Sequence, residues 1–180
     1  MLNIVNPRRL LPVLLVAGLI VAAVAWPNGA ASEAAAAPEP RTTTYRMVVP
    51  AAAFIPAYPD FGYVQGGEYL SSLTSFAAFI APIQFPYPVV TIKAITLYAY
   101  DNGSQDFILH LGRTRPATGT GAITAILKST GQSATDPRAF TTTAISPRVI
   151  NSASHGAYLA LFPPPGTAYK FYGVTIRYEA

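Results

Sequence analysis

The chain has two histidines and no cysteine, which limits the chemistry that its side chains can perform. A zinc site usually takes three or four strong ligands from cysteine, histidine and carboxylate side chains. His110 lies in a segment of alternating apolar residues, and His155 lies in the Ser/Gly-rich stretch NSASHGAY. A shared site would need a carboxylate and a further strong ligand beside them. We therefore predict no metal site and no cofactor, and we expect both histidines to be structural.

A serine nucleophile is a second possibility, because Ser154 directly precedes His155. A Ser-His-Asp triad depends on hydrogen-bond geometry in space, which adjacency in the chain does not supply. The Gly-x-Ser-x-Gly elbow that presents a nucleophile in one large class of hydrolases is also absent. We predict that this pair is not catalytic.

Paired carboxylates are a third possibility, and Asp101 and Asp106 flank the short segment DNGSQD. Glycoside hydrolysis uses two carboxyl groups about 5–9.5 Å apart. The segment also resembles the start of a calcium loop, but Gly112 occupies the position where an EF-hand requires glutamate. We interpret both aspartates as turn-forming residues, and a hydrolase using Asp or Glu stays open as an alternative.

Aromatic side chains form the most distinctive candidate site. The long connection Pro50 to Glu68 is rich in Pro, Ala, Tyr and Gly, and its aromatic residues continue just beyond it. Such side chains stack on sugar rings or anchor protein interfaces with little loss of conformational entropy. The alternative is that the connection folds back over an open end of the domain. The candidate ligand-binding residues are Tyr58, Phe61, Tyr63 and Tyr69.

Charge argues against nucleic acid as a partner. The net charge is +4, and only 11% of the residues are charged, against roughly 25% in an average protein. A nucleic-acid site needs a cluster of basic residues that neutralises several phosphates together. Only Arg113 and Arg115 are close neighbours within the domain, and the other basic residues are scattered.

The N-terminus has the three parts of an export signal. Arg8 and Arg9 precede an apolar run from Leu10 to Trp26, and small residues follow. We predict a signal peptide or membrane anchor at residues 1–31, with cleavage after Ala25 or Ala31 in the first case. An Ala/Pro-rich linker follows at residues 32–43. The protein is therefore expected to work outside the cytoplasm, secreted or anchored to the cell envelope, and to meet the membrane only through this segment.

The remaining residues, 44–180, show a period of two and no convincing amphipathic helix. This pattern predicts an all-β domain, an antiparallel β-sandwich of the jelly-roll or Greek-key type. The Asp101-Asn102-Gly103 turn predicts that Val89 to Arg113 forms one hairpin. The expected strands are Tyr45–Val49, Ser75–Ile80, Val89–Tyr100, Phe107–Arg113, Ala122–Lys128, Phe140–Ile145, Ala157–Phe162 and Tyr169–Tyr178.

Alternation also predicts which side chains are buried. Leu97, Leu109 and Ile176 each lie on the apolar face of a strand and are expected in the core. In the last strand, strict alternation puts Phe171 opposite the face of Tyr172, Val174 and Ile176. One of these two apolar faces would then leave the core, and self-association would cover it.

Two stretches resemble secreted bacterial β-sandwich domains of uncharacterised function. The segment PYPVVTIKAITLYAYDNG, followed by FILHLGR, has their long strand ending in Tyr-x-Tyr-Asp-Asn, and YGVTIRY is similar to their last strand. The resemblance implies a β-sandwich in an extracytoplasmic setting and implies no active site. Our leading interpretation is a non-catalytic structural, adhesive or assembly module that binds itself or an envelope partner. Carbohydrate binding through the Tyr-rich loops is the alternative, with a glycan as partner.

Overall fold

The computed structural model describes residues 42–75, 77–130 and 136–180. The predicted export segment and residues 32–41 of the linker lie outside these ranges. Within them, no helix combines the length and the apolar character that crossing a membrane requires.

Strands make up most of the described residues, as the period of two predicts. They are β1 Thr44–Pro50, β2 Ile55–Pro56, β3 Tyr63–Gln65, β4 Leu70–Ser72, β5 Phe79–Ile83, β6 Val89–Asp101, β7 Ile108–Arg115, β8 Thr120–Lys128, β9 Arg138–Thr142, β10 Val149–Asn151, β11 Gly156–Phe162 and β12 Tyr169–Glu179. A 3-10 helix at Ala51–Ala53 joins β1 to β2.

The strands form two antiparallel sheets that pack face to face. The larger sheet has the order β10-β6-β12-β4-β3, with β1 also pairing with β12 and β9 also pairing with β6. The smaller sheet has the order β2-β5-β11-β7-β8. Because the chain crosses repeatedly between the sheets, the main strands β1-β12-β6-β9 and β5-β11-β7-β8 have the order of a jelly roll. The predicted fold class is confirmed.

The core lies between the sheets and has the predicted residues in it. Leu97 and Ile176 are fully buried and Leu109 is 1% exposed. The long Pro50 to Glu68 connection also contributes, since the ring of Phe54 packs edge-on against that of Phe171 at 4.8 Å between centroids. Both phenylalanines are buried, so the connection packs into the core of its own chain.

The predicted hairpin at Asp101-Asn102-Gly103 is wrong. β6 lies in the larger sheet and β7 in the smaller, so this turn crosses between sheets. Gly103 is required for space, because a Cβ atom there would overlap the ring and hydroxyl of Tyr169. The backbone N–H of Gln105 donates to the same hydroxyl at 3.1 Å, which holds the turn against β12. The Asn-Gly pair therefore serves a close approach of backbone to ring.

Two predicted strands are displaced. The strand expected at Ser75–Ile80 lies at Phe79–Ile83, and the one expected at Phe140–Ile145 lies at Arg138–Thr142. Pro82 lies within β5 and has no backbone N–H to donate, and it is accommodated because β2 pairs with β5 only at Phe79 and Ile80. Beyond Ile80 that side of β5 is an edge among the described residues, where a missing N–H breaks no ladder hydrogen bond.

The predicted faces of the last strand are partly wrong. β12 has an irregularity in its pairing with β6 between Phe171 and Gly173. This shifts the alternation, so that Phe171, Val174 and Ile176 all point into the core while Tyr172 does not. The apolar face for which strict alternation requires a second subunit is therefore covered within the sandwich.

Candidate functional site

A polar groove of about 410 Å³ lies on the outer face of the larger sheet. Strands β1, β12, β6 and β9 run side by side there, and each contributes outward-pointing residues. Its lining has five threonines, two tyrosines, two arginines and one alanine, with no carboxylate among them. The lining residues are Thr44, Tyr45, Arg46, Ala94, Thr96, Tyr98, Thr141, Thr143, Thr175 and Arg177.

Strand register brings these residues into rows across the sheet. Thr175 of β12 faces Thr96 of β6, and Thr96 faces Thr141 of β9. The hydroxyl oxygens of Thr96 and Thr141 are 2.9 Å apart and share a hydrogen bond. A hydroxyl is both donor and acceptor, so this row can exchange hydrogen bonds with any ligand that carries hydroxyl groups.

The neighbouring row places two arginines side by side. Arg46 of β1 and Arg177 of β12 are direct cross-strand partners on this face. The Nη2 atom of Arg46 donates to the hydroxyl of Tyr98 at 3.2 Å and to that of Thr175 at 3.4 Å. Arg46 thus lies over Thr175, which is only 7% exposed.

The carboxylate closest to the two arginines along β12 is that of Glu179, and it is already in an ion pair. Glu179 forms an ion pair with Lys93, with Oε2 and Nζ 2.6 Å apart. No carboxylate forms an ion pair with Arg46 or Arg177 within residues 42–75, 77–130 and 136–180. The groove is therefore positively charged as well as rich in hydroxyls.

The four aromatic residues that the sequence singles out do not line this groove. The structure divides them among three separate contacts. Tyr58 and Phe61 pack edge-on at 5.5 Å between centroids, while Tyr63 packs against the core residue Phe79 at 5.4 Å. Tyr69 lies under the amine of Lys170, 5.0 Å from the ring centroid. Tyr58, at 63% exposed, is the most open of them.

The two histidines lie in different places. His110 points away from the core between Leu109 and Leu111, as the alternation predicts, and burial lowers its pKa below the usual value. His155 differs from expectation: its Nδ1 is 2.8 Å from the Ser154 hydroxyl, so the adjacent pair does share a hydrogen bond. No carboxylate hydrogen-bonds to this ring in the described part of the chain, which leaves the pair without the third member of a triad.

Asp101 has a structural role. Its side chain is 1% exposed and accepts a hydrogen bond from the Ser129 hydroxyl, which in turn accepts one from the backbone N–H of Phe107 at 2.8 Å. Burial raises the pKa of Asp101, and the hydrogen bond from Ser129 acts against that rise. A carboxyl group so enclosed has no access to a substrate, so the hydrolase alternative loses its Asp101–Asp106 pair. No group of three potential metal ligands exists among the described residues.

A second, more apolar cavity of about 570 Å³ lies on the smaller sheet. His110 and Phe162 form one wall, with ring centroids 5.0 Å apart, and three consecutive prolines, 163–165, form another. It has fewer polar groups than the groove on the larger sheet, and the described residues give it no charged side chain.

Sequence reasoning missed the groove residues because they come from strands far apart in the chain. The alternation in β6 places Thr96 and Tyr98 on one face, so this part of the groove could be predicted from the sequence. The positions of the arginines predict no site, since Arg46 and Arg177 meet only because the first and last strands pair.

Comparisons with known proteins find similarity only to solved structures. No protein-family model matches the sequence, and no curated protein matches it. The chain is similar to the CBM36-1 domain of a multidomain xylanase from the hindgut metagenome of Trinervitermes trinervoides (9% identity, TM-score 0.44, covering 76% of this chain and 98% of that one).

It is also similar to a carbohydrate-binding module CBM36 in complex with calcium and xylotriose (12% identity, TM-score 0.45, 73% of this chain and 98% of that one). A third likeness is to CBM86, a low-affinity xylan-binding module from Roseburia intestinalis (13% identity, TM-score 0.36, 76% of this chain and 96% of that one). Likenesses at this level assign no ligand to this chain, whose groove is interpreted below from its own residues.

Proposed function

We propose that this protein is a non-catalytic glycan-binding module that works outside the cytoplasm and holds its ligand in the groove on the larger sheet. The observation that supports this most is the lining of that groove, in which hydroxyl groups from four strands surround Tyr98 and two arginines. This corresponds to the alternative interpretation of the sequence, with a different set of residues.

The chemistry of the lining matches a sugar chain better than an apolar ligand. A sugar carries hydroxyl groups around its ring, and each can donate and accept a hydrogen bond, as the threonine hydroxyls do. The ring of Tyr98 offers an apolar surface with a polar tip, which suits the C–H face of a sugar. The groove is also within the usual volume range of ligand sites, about 300–1,000 Å³. Its position on regular strands keeps these groups in fixed places.

The hydroxyl row gives the first test. We expect the double variant Thr96→Val, Thr141→Val to bind its best glycan about tenfold more weakly than the unchanged protein. Each hydroxyl contributes about 0.5–1.5 kcal/mol when it hydrogen-bonds to a ligand, and 1.4 kcal/mol corresponds to about tenfold. Affinity electrophoresis of the purified full-length protein against a panel of soluble polysaccharides measures this.

The chain offers a matched control for this variant. Thr118 and Thr120 form another exposed hydroxyl pair, 2.7 Å apart, where the turn after β7 leads into β8. Thr118→Val, Thr120→Val removes the same groups outside the groove and should leave affinity unchanged. Equal losses in both double variants would exclude the groove as the binding site.

Assembly is a second candidate function, and one observation favours it. A row of mainly apolar residues crosses the outer face of the smaller sheet, with each residue opposite the next in the strand register. Three of its members are exposed isoleucines: 61% for Ile55, 37% for Ile80 and 51% for Ile126. The row consists of Ile55, Ile80, Ala160, His110 and Ile126.

If two copies associate through this row, light scattering on the full-length protein at micromolar concentration should give the mass of a dimer. Ile126→Glu should then return the protein to a monomer, because it places a charge at the interface. Leu73→Glu changes an equally exposed residue outside the row, 52% exposed, and should leave the mass unchanged. A monomeric mass for the unchanged protein would end this candidate.

A further inference from the structure

We infer that the ligand is an acidic polysaccharide, whose anionic groups bind between Arg46 and Arg177. This inference rests on the proposed glycan-binding function and narrows it to a ligand class. It is carried by three features of the groove: the pairing of the two arginines, the way Arg46 is held, and the absence of a balancing carboxylate among the described residues.

The pairing is the first feature. Arg46 and Arg177 are register partners in adjacent antiparallel strands, with both side chains on the outer face. Side chains directly opposite one another have Cβ atoms about 4.5–5.5 Å apart, and like charges at such positions repel. An oxyanion bound between the two guanidinium groups would convert that repulsion into two attractions.

The second feature is the fixed position of Arg46. Its Nη2 atom contacts the hydroxyls of Tyr98 and Thr175, which lie on two different strands. These contacts involve only Nη2, and within the described residues Nε and Nη1 keep their N–H groups for a ligand. A guanidinium has five donors in a planar fork that matches the two oxygens of a carboxylate. Because two hydrogen bonds already restrain the side chain, a ligand loses less affinity to ordering it.

The third feature is the charge of the surroundings. Glu179, two residues beyond Arg177 on the same strand, is bound by Lys93. The other lining residues are threonines, tyrosines and an alanine, so the groove is a hydroxyl-rich surface with two positive charges. A neutral sugar would use the hydroxyls alone. A chain whose sugars carry carboxylate or sulfate groups uses the hydroxyls and both arginines together.

The test compares one polysaccharide with and without its charge. Polygalacturonate and its fully methyl-esterified form have the same sugar chain, and only the first carries carboxylates. We expect the full-length protein to bind polygalacturonate at least about tenfold more tightly, since hydrogen bonds to charged groups are the stronger ones. A comparison of dextran sulfate with uncharged dextran tests in the same way whether a sulfate group can serve as the anion.

The decisive variant is Arg46→Gln, Arg177→Gln, which keeps a polar side chain and some hydrogen bonding but removes both charges. It should bind polygalacturonate no better than the methyl ester, because the groove then offers no positive charge to the carboxylates. The control is Arg113→Gln, Arg115→Gln in β7 of the smaller sheet, which changes net charge equally. It should retain the preference for the acidic form.

The outcomes separate the inference from the proposed function. Equal affinity of the unchanged protein for polygalacturonate and its ester, together with equal affinity for dextran sulfate and dextran, would overturn the inference and leave glycan binding standing. Equal loss of preference in both arginine variants would also overturn it, because binding would then follow overall charge. Binding to none of the four polysaccharides would overturn the inference, and binding to none of the wider polysaccharide panel would overturn the proposed function as well.

Discussion

Replacing Leu109 by alanine is expected to lower the free energy of unfolding by about 2–5 kcal/mol, the usual range for a filled core position. Leu109 is 1% exposed and lies in β7, between β11 and β8 of the smaller sheet, where it points into the space between the sheets. The side chain cannot be replaced by water there, and a buried cavity would remain. Chemical denaturation, with the slope of the transition compared between variants, measures the loss.

The same substitution at an exposed leucine provides the control. Leu73 is 52% exposed, and Leu73→Ala should change stability by no more than about 0.5 kcal/mol. A loss below about 1 kcal/mol at Leu109 would mean that β7 does not present this face to the core.

Local alternation explains why Leu109 and its neighbours could be placed from the sequence. Along β7 the residues Leu109 and Leu111 are buried and His110 between them is not, as a period of two requires. The same holds in β6 for Leu97 and Ala99. A regular strand needs only its own residues to define its faces, so the sandwich and most of its core could be predicted.

The turns could be located but not assigned to a sheet. Asp101-Asn102-Gly103 marks the end of β6 correctly, yet the sequence around it is compatible with a return in the same sheet or a crossing to the other. The crossing is set by Tyr169, whose ring occupies the space above Gly103 and whose hydroxyl binds the backbone of Gln105. That contact joins parts of the chain far apart in sequence, and local turn chemistry contains no sign of it.

The candidate site also depends on pairing between strands that are far apart in the sequence. Thr96 and Tyr98 share a face by local alternation, but the groove exists because β1 and β9 flank β12 and β6. By contrast, proximity in sequence is what groups the four candidate aromatic residues, Tyr58, Phe61, Tyr63 and Tyr69. The chain turns between them, so that their rings contact different partners. Whether any of the four contacts a ligand stays a prediction.

The last strand shows how one residue can change the faces of a whole element. Gly173 has a φ of +151°, in the region that favours glycine, at the irregularity in the pairing of β12 with β6. The irregularity moves Phe171 to the same face as Val174, and both are buried. The sequence shows a glycine within an alternating strand, which is a known sign of a bulge, but the choice of face for Phe171 depends on the core around it.

Gly173→Ala is therefore expected to be among the most destabilising single changes in the domain. The backbone conformation alone costs an alanine about 1–3 kcal/mol. A Cβ atom would also lie 2.8 Å from the carbonyl oxygen of Val49 in β1, a contact with backbone that cannot rotate away. The two effects should together exceed the cost of either, and thermal or chemical denaturation measures them.

Two other glycines allow the cost of the backbone conformation to be measured apart from the cost of the steric contact. Gly67 has a φ of +80°, and no atom lies within 4 Å of the place that a Cβ atom would take, so Gly67→Ala should show the conformational cost alone. Gly62 has ordinary contacts of 3.5 Å and no left-handed φ, so Gly62→Ala should be close to neutral. If Gly173→Ala were no more destabilising than Gly67→Ala, β1 would have to lie farther from β12 than the register of Val49 and Val174 implies. The arginine pair, which depends on that same register, would then lose its geometric basis.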